Sequence, residues 1–315
     1  MSLVLDSPTS AKAIAEKDSL VLCIPEDTFW EKVALTRKGI RNLMATMASR
    51  LRRANHALIQ EMEEQIKYKQ LEKDLETAGK IQSGIVPNGN KLLAHCSQVD
   101  AHAFIKQARE VGGDFYDAML LDDDRLYFAI GDVSGKGMPA ALFMMRTFTS
   151  LRMLINNQPK FDDVIPAVNE LLAKNNDDMM FVSIFTGILQ LSTGQLRYVN
   201  AGHNRPFVSL SGKGFQTLDQ RNGPLLGIRE GAKFSVGELK LEKGDTLVLY
   251  TDGVSEAMNS SGEMFEMQRL QAFLDAAMPH TMPFLVENLE RALDLFVGEA
   301  AQYDDFTVLA FRYLG

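Results

Sequence analysis

Cysteine is scarce in this sequence: Cys23 and Cys96 are the two among 315 residues, too few for a disulfide framework. Neither has a second cysteine or a histidine at metal-ligand spacing. Neither is followed six positions on by arginine, the arrangement in which a thiolate attacks a phosphate held in a P-loop. Cysteine-based phosphoryl chemistry is therefore disfavoured, and both residues are expected as buried small hydrophobes. The five histidines form no HxH or HExxH cluster. Apolar runs such as Ala140–Met145 fall far short of the roughly 20 residues that a bilayer span requires, and no charged-then-apolar leader opens the chain. A cytoplasmic address is expected. Positive charge is not in excess either, since 33 Lys and Arg face 41 Asp and Glu for a net charge of −8. That balance removes the basic face on which a nucleic-acid binder depends.

What is present is enough apolar material, 46% of residues, to fill a large core with an appendage. Residues 19–25, SLVLCIP, read as a short strand, and Glu26–Ala57 carries Phe29, Val33, Ile40, Leu43, Met47 and Leu51 at helical spacing. This stretch resembles the closing strand and helices of a cyclic-nucleotide-binding domain. The barrel and phosphate cassette of such a domain would lie upstream, where this chain has about 18 residues, so no nucleotide is expected to bind. The chain is read as part of a longer protein with Met1-Ser2-Leu3 as an added start; a natural short form is the competing reading. From Leu58 to Val86 the composition stays helical, with Ile59, Met62 and Ile66 at heptad steps before a phase break. A dimeric coiled coil and a helix packed on its own domain both fit that seam. Pro87-Asn88-Gly89-Asn90 stops the helix, giving expected domains of 1–57, 58–90 and 91–315.

Beyond about Ala94 the pattern changes to strands with a few helices. Strands are expected at Gln98–Ile105, Asp114–Leu121, Arg125–Val133, Ser183–Leu191, Gln195–Ala201, Pro206–Leu210, Asp245–Tyr250 and Phe306–Tyr313. Helices are expected at Pro139–Ile155, Asp162–Lys174, Glu266–Ala277 and Met282–Val297. Sheets and helices are segregated rather than alternating as βαβ units, which favours an α+β fold. LYFAIGDV and DTLVLYTDG are almost continuously apolar, so both faces of those strands should be covered. A β-sandwich of two sheets flanked by helices, preceded by the N-terminal helical segment, satisfies this.

Four segments place acidic residues beside a buried strand pattern: Val111–Asp117, Gly131–Gly135, Thr251–Gly253 and Tyr303–Thr307. Each alone is explained by the preference of aspartate for turns. Together, in a chain without a histidine cluster, they point to an oxygen-ligand site for Mg²⁺ or Mn²⁺. Gly112, Gly113, Gly131 and Gly135 would let backbone approach such a site closely. Ser134-Gly135-Lys136-Gly137 lacks the spacing of a nucleotide P-loop.

AREVGGDFYD, IGDVSGKGMPAAL, FVSIFTGILQLSTGQLRYVNAGHNRP, GPLLGI, DTLVLYTDGVSEA and YDDFTVL, in this order, resemble the motifs of SpoIIE/RsbU-type phosphatases of the protein phosphatase 2C (PPM) family. The resemblance spans roughly Ala78–Leu314. It implies a two-sheet sandwich, two Mn²⁺ or Mg²⁺ ions, and hydrolysis of a phosphoserine or phosphothreonine monoester by activated water. By the same resemblance Asp132 bridges both ions, the Val133 carbonyl helps bind one, Asp252 matches the aspartate of the family's later Asp-Gly motif, and Asp304 matches the first aspartate of its closing Asp-x-x-Thr motif. Asp114 is the choice for the remaining carboxylate, with Asp117 and Asp305 as neighbours or outer-shell ligands. His203 is a candidate for proton transfer, with loop anchoring as the equal alternative. Arg109 is a candidate for the substrate phosphate, with a surface salt bridge as the competing reading. The implied partner is a phosphorylated regulatory protein, a STAS-domain anti-anti-sigma factor, with a homodimer through the 58–86 helix as a further possibility. A non-catalytic adaptor and a two-metal phosphodiesterase are the alternatives. A regulatory signal would pass along Leu58–Val86 to the metal site.

Overall fold

The computed structural model describes residues 14, 16–21, 23–157, 160–277 and 280–315, so Met1-Ser2-Leu3 lie outside the described residues. Two compact units divide at Glu72 and Lys73. In the first, a helical turn Glu26–Thr28 runs into a π-helical stretch Phe29–Ala34. The 47-residue helix α1 (Arg37–Ser83) begins after it and is about 70 Å long. Among the described residues of this unit Ala34 alone is buried, while Leu51, Leu58, Ile59, Met62 and Ile66 face solvent.

The strand expected over 19–25 is not formed. Its described residues are irregular, with Leu20 and Val21 exposed, and Leu22 lies outside the described residues. An extended segment holds as a strand only where a neighbour takes up its backbone donors and acceptors, and none of the described strands does so. Cys23, expected to be buried, is exposed with this segment, whereas Cys96 is buried as expected.

Among the described residues the second unit holds ten strands: β1 (Val99–Lys106), β2 (Phe115–Leu120), β3 (Arg125–Val133), β4 (Val182–Gln190), β5 (Gln195–Ala201), β6 (Phe207–Ser209), β7 (Phe215–Thr217), β8 (Gly237–Lys240), β9 (Thr246–Tyr250) and β10 (Phe306–Tyr313). They form two five-stranded sheets, ordered β1-β10-β9-β6-β7 and β2-β3-β4-β5-β8, with antiparallel neighbours throughout. Among the described residues five α-helices follow α1: α2 (Met138–Asn157), α3 (Phe161–Ala173), α4 (Asp252–Ser255), α5 (Glu266–Ala277) and α6 (Met282–Val297).

Period-two alternation explains why the strands read as continuous apolar runs. On β3, Leu126, Phe128 and Ile130 join Leu309, Phe311 and Tyr313 of β10 in the core between the sheets. The intervening Tyr127 and Ala129 pack with Met144, Phe148, Val164 and Val168 of α2 and α3. Val308 and Ala310 of β10 pack with Leu270, Leu285 and Leu289 of α5 and α6. The layers are therefore helix, sheet, sheet, helix, the sandwich expected from the sequence. Burying each large side chain stabilises it by about 1.5–3 kcal/mol, so both faces of the sheets contribute.

Candidate functional site

Inward-facing parity continues past the apolar core at one end of the sandwich, and there the residues turn polar. Leu126, Phe128 and Ile130 on β3 are followed in phase by Asp132, and Leu247 and Leu249 on β9 by Thr251. Going backward, Tyr116 on β2 leads to Asp114, and Leu309 on β10 leads to Thr307 and Asp305. The hydrogen bonds bear this out across the two sheets: Thr251 Oγ1 donates to Asp114 Oδ2 at 2.7 Å and Thr307 Oγ1 donates to the same oxygen at 2.6 Å. Three sequence-distant segments thus meet at one buried carboxylate.

Asp305 is held differently. Its Oδ1 accepts from the Ala108 amide at 2.8 Å and its Oδ2 from the Gly113 amide at 3.0 Å. A side chain at Gly112 would place Cβ 2.2 Å from Asp305 Oδ2, so glycine is required for this approach. Gly112 is in turn gripped by Gln82 near the end of α1. The Gln82 side chain donates to Gly112 O at 2.7 Å and accepts from Gly112 N at 3.1 Å, and it is 1% exposed. Asp305 therefore organises the loop before β2 rather than pointing a free carboxylate at the cleft.

The cleft itself is lined by Ala108, Arg109, the Gly112-Gly113 loop, Asp132, Val133, Lys136, Tyr303, Asp304 and Asp305. Burial, then repulsion from Asp252 and Asp304, pushes the Asp132 carboxyl up to about 7, against a hydrogen bond with Asp114. Asp114 is held well above the usual carboxylate range by burial and then by Asp132 and Asp305. Asp252, at the start of α4, is raised by burial, Glu256 and Asp304, partly offset by Lys136. Asp305 is raised too, because burial outweighs its amide bonds. Negative charge is concentrated here beyond what the protein's own cations offset.

These donors suit hard divalent cations, being carboxylates together with the Val133 carbonyl, which stands 2.9 Å from where a Gly113 Cβ would be. Among the described residues no group of three or more His, Cys, Asp or Glu side chains already stands at metal-holding geometry. Asp114 is engaged by its two threonines, and Asp304 pairs with Lys136 at 2.9 Å. The chemistry of the set fits a cation; turning its side chains onto one requires exchanging these partners.

One sequence expectation changes in this setting, and two residues that the sequence left with two readings each gain definite surroundings. Asp117 is on β2 but out of phase with Asp114, so it faces α2, where it forms a two-pronged ion pair with Arg152 at 2.7 and 2.8 Å. It cannot serve as an outer ligand from the far side of the sheet. His203 is 1% exposed, with Nδ1 2.7 Å from Ser183 Oγ, and burial lowers its pKa to about 4. Its backbone N–H donates to Asn200 Oδ1 at 2.9 Å, and its ring stands behind Ser183, the cross-strand partner of Asp132, surroundings that suit the loop-anchoring alternative. Arg109, for which a salt bridge was the competing reading, lines the cleft and makes no ion pair among the described residues. Lys136, Gln82, Thr251 and Glu256 were not anticipated. Lys136 stood in a motif weighed only as a phosphate loop, and nothing local marks Gln82.

The family model of SpoIIE, Stage II sporulation protein E, matches residues 122–314; Asp114 and its glycine loop precede that span. Protein IcfG of Synechocystis sp. is 31% identical over 265 residues, covering 75% of this chain and 41% of that protein. Phosphoserine phosphatase RsbU of Bacillus subtilis is 29% identical over 244 residues, covering 77% of this chain and 71% of RsbU. Among solved structures, the SiaA-PP2C domain of Pseudomonas aeruginosa superposes with a TM-score of 0.69 at 23% identity, covering 78% of this chain and 98% of that one, which shows a shared fold. The segment order read from the sequence and the family match over more than half its length lead to one conclusion: this chain belongs to the SpoIIE family.

Proposed function

We propose that this chain is a metal-dependent protein serine/threonine phosphatase that hydrolyses a phosphoserine or phosphothreonine monoester on a regulatory protein. The observation that carries the reading is the mutual repulsion that links Asp114, Asp132, Asp252 and Asp304, from strand ends of both sheets, with Asp132 and Asp304 on the cleft wall. Asp132, Asp252, Asp304, Asp114 and the Val133 carbonyl would hold two Mn²⁺ or Mg²⁺ ions, with Asp305 fixing the loop behind them. When bound, the ions lower the pKa of the attacking water and offset charge on the phosphoryl oxygens. Arg109, on the cleft wall without an ion-pair partner among the described residues, orients the phosphate through its fork of N–H donors. Water attacks phosphorus, the P–O bond to the seryl or threonyl oxygen breaks, and inorganic phosphate and a free hydroxyl result. No side-chain nucleophile is needed.

Similarity to a protein named phosphoserine phosphatase RsbU supports a phosphoserine substrate, and a STAS-domain anti-anti-sigma factor is the proposed partner. Exposed Leu58, Ile59, Met62 and Ile66 on α1 support a second copy of the chain as a further partner. No helix among the described residues is long and apolar enough to cross a membrane, and a cytoplasmic site of action is part of the proposal. The test is Mn²⁺-dependent phosphate release from a phosphoserine protein by the intact chain, Asp132→Asn and Asp252→Asn. Release that requires metal and falls at least about 100-fold in both variants is expected. Equal release by all three overturns the site; metal binding without release indicates an adaptor, and preferential cleavage of a diester indicates a phosphodiesterase.

A further inference from the structure

The loop between β3 and α2 carries a cation into the acidic cleft. Lys136 Nζ lies 2.9 Å from Asp304 Oδ2, donates to the Tyr303 carbonyl at 2.7 Å and sits 3.7 Å from the centre of the Tyr303 ring. A carboxylate, a carbonyl and an aromatic face together make a nest for a cation. The ammonium offsets charge at Asp252 as well. Its stem is flanked by Gly135 and Gly137, both with left-handed backbone at φ +85° and +76°, and nothing lies within 4 Å of a Cβ built at Gly137. Lys136 thus sits between two left-handed glycines, with open space beside Gly137. Lys136 also lines the same cleft as Asp132, Val133 and Arg109.

We infer that Lys136 is a tethered cation that competes with the incoming divalent ion for Asp304 and, once displaced, turns to the phosphate of the substrate in the cleft that Arg109 also lines. The inference rests on the two-ion reading of the site and adds to it a residue with two successive partners. Asp304 cannot give the same oxygen fully to an ammonium and to a divalent ion, since the two cations repel at contact distance. Ion binding therefore releases the ammonium, and a compact donor with three N–H bonds becomes available at the moment when a phosphate can be held. Lys136 is in this sense a positioning residue for the metal and a binding residue for the substrate.

The experiment titrates Mn²⁺ into the intact chain by calorimetry, for the unaltered protein, Lys136→Met, Lys136→Arg and Asp132→Asn, and measures kcat and KM with a phosphoserine protein. Lys136→Met keeps the length and removes the charge. It is expected to bind Mn²⁺ about three- to ten-fold more tightly, with KM raised several-fold and kcat changed less. Lys136→Arg should stay near the unaltered protein in both. The side chain is 31% exposed, and a thermal melt checks that the variants fold. Mn²⁺ affinity in Lys136→Met that is unchanged or weaker, while Asp132→Asn loses binding, overturns the competition and leaves the metal site standing. Loss of no binding in Asp132→Asn, or no binding by the unaltered protein, overturns the metal site and this inference with it.

Discussion

Asp114 and Asp117 stand three residues apart at the start of one strand, yet one meets the threonines between the sheets and the other meets Arg152 under α2. Strand parity separates them, because an odd spacing turns side chains to opposite faces. Strand register sets Ser183 opposite Asp132, with His203 Nδ1 2.7 Å behind the Ser183 hydroxyl. Burial holds His203 near 4, below its ordinary 6.5. The folded protein thus keeps the ring neutral where the unfolded chain would protonate it. Its contribution to stability is complete above about pH 6.5 and is lost as pH falls toward 4, on the order of 3 kcal/mol in all. Urea unfolding of the intact protein and of His203→Asn at pH 7.5 and pH 5 checks this: the variant should be weaker at pH 7.5 and lose less on acidification. An identical acid-induced loss in both would show that His203 does not set it. At this scale Asp132, Asp252 and Asp304 were legible because each adjoins an apolar strand in a recognisable segment. The placements of Asp117 and His203 were not, because the face on which a residue lands depends on where its strand starts and on what packs against it.

At the scale of elements, the end of α1 and the loop before β2 form one hydrogen-bonded device. Gln82 completes the peptide of Gly112 on both sides and also accepts from Gln107 Nε2 at 3.0 Å, while Asp305 takes up the amides beyond. Replacing Gln82 with leucine keeps the volume and leaves a buried N–H and C=O without partners, at about 1–3 kcal/mol for each group. The expected result is a lower unfolding midpoint and faster hydrogen exchange in the 108–116 peptide, with Ser83→Ala changing neither. Unchanged exchange in Gln82→Leu would mean that the loop holds itself. The long strands were readable from the sequence since helices and the opposite sheet cover both their faces. β7 and β8, of three and four residues, were not, because so short an edge strand carries too few alternations to distinguish it from a loop. The segment 19–25 failed for the converse reason: its composition suits a strand, but strand formation depends on a neighbour.

Across the whole molecule, the two units differ in how they are stabilised. The sheets and flanking helices of the unit beginning at Lys73 share three apolar cores, whereas α1 up to Glu72 exposes Leu58, Ile59, Met62 and Ile66, the last at 65%. A helical stripe of that kind gains stability by pairing. Light scattering should give twice the chain mass for the intact protein and a folded monomer for a chain begun at Lys73; a monomer in both cases would remove the pairing role of α1. The heptad steps made this stripe visible in the sequence, but a single chain's sequence does not distinguish pairing with a copy from packing at home.

The first sheet carries one further consequence, in the timing of its assembly. β1 bonds along its whole length to β10, its one neighbour in the sheet. As the chain leaves the ribosome, β1 emerges roughly 200 residues ahead of that partner, an interval of about 10–40 s at ordinary elongation rates. Through that interval a strand with open hydrogen-bonding edges has to be shielded from its counterparts on neighbouring nascent chains. The acidic cleft, which needs Asp304 and Thr307 from the late segment, is completed at the same moment as the sheet, so a partly translated chain has neither a closed core nor a working site.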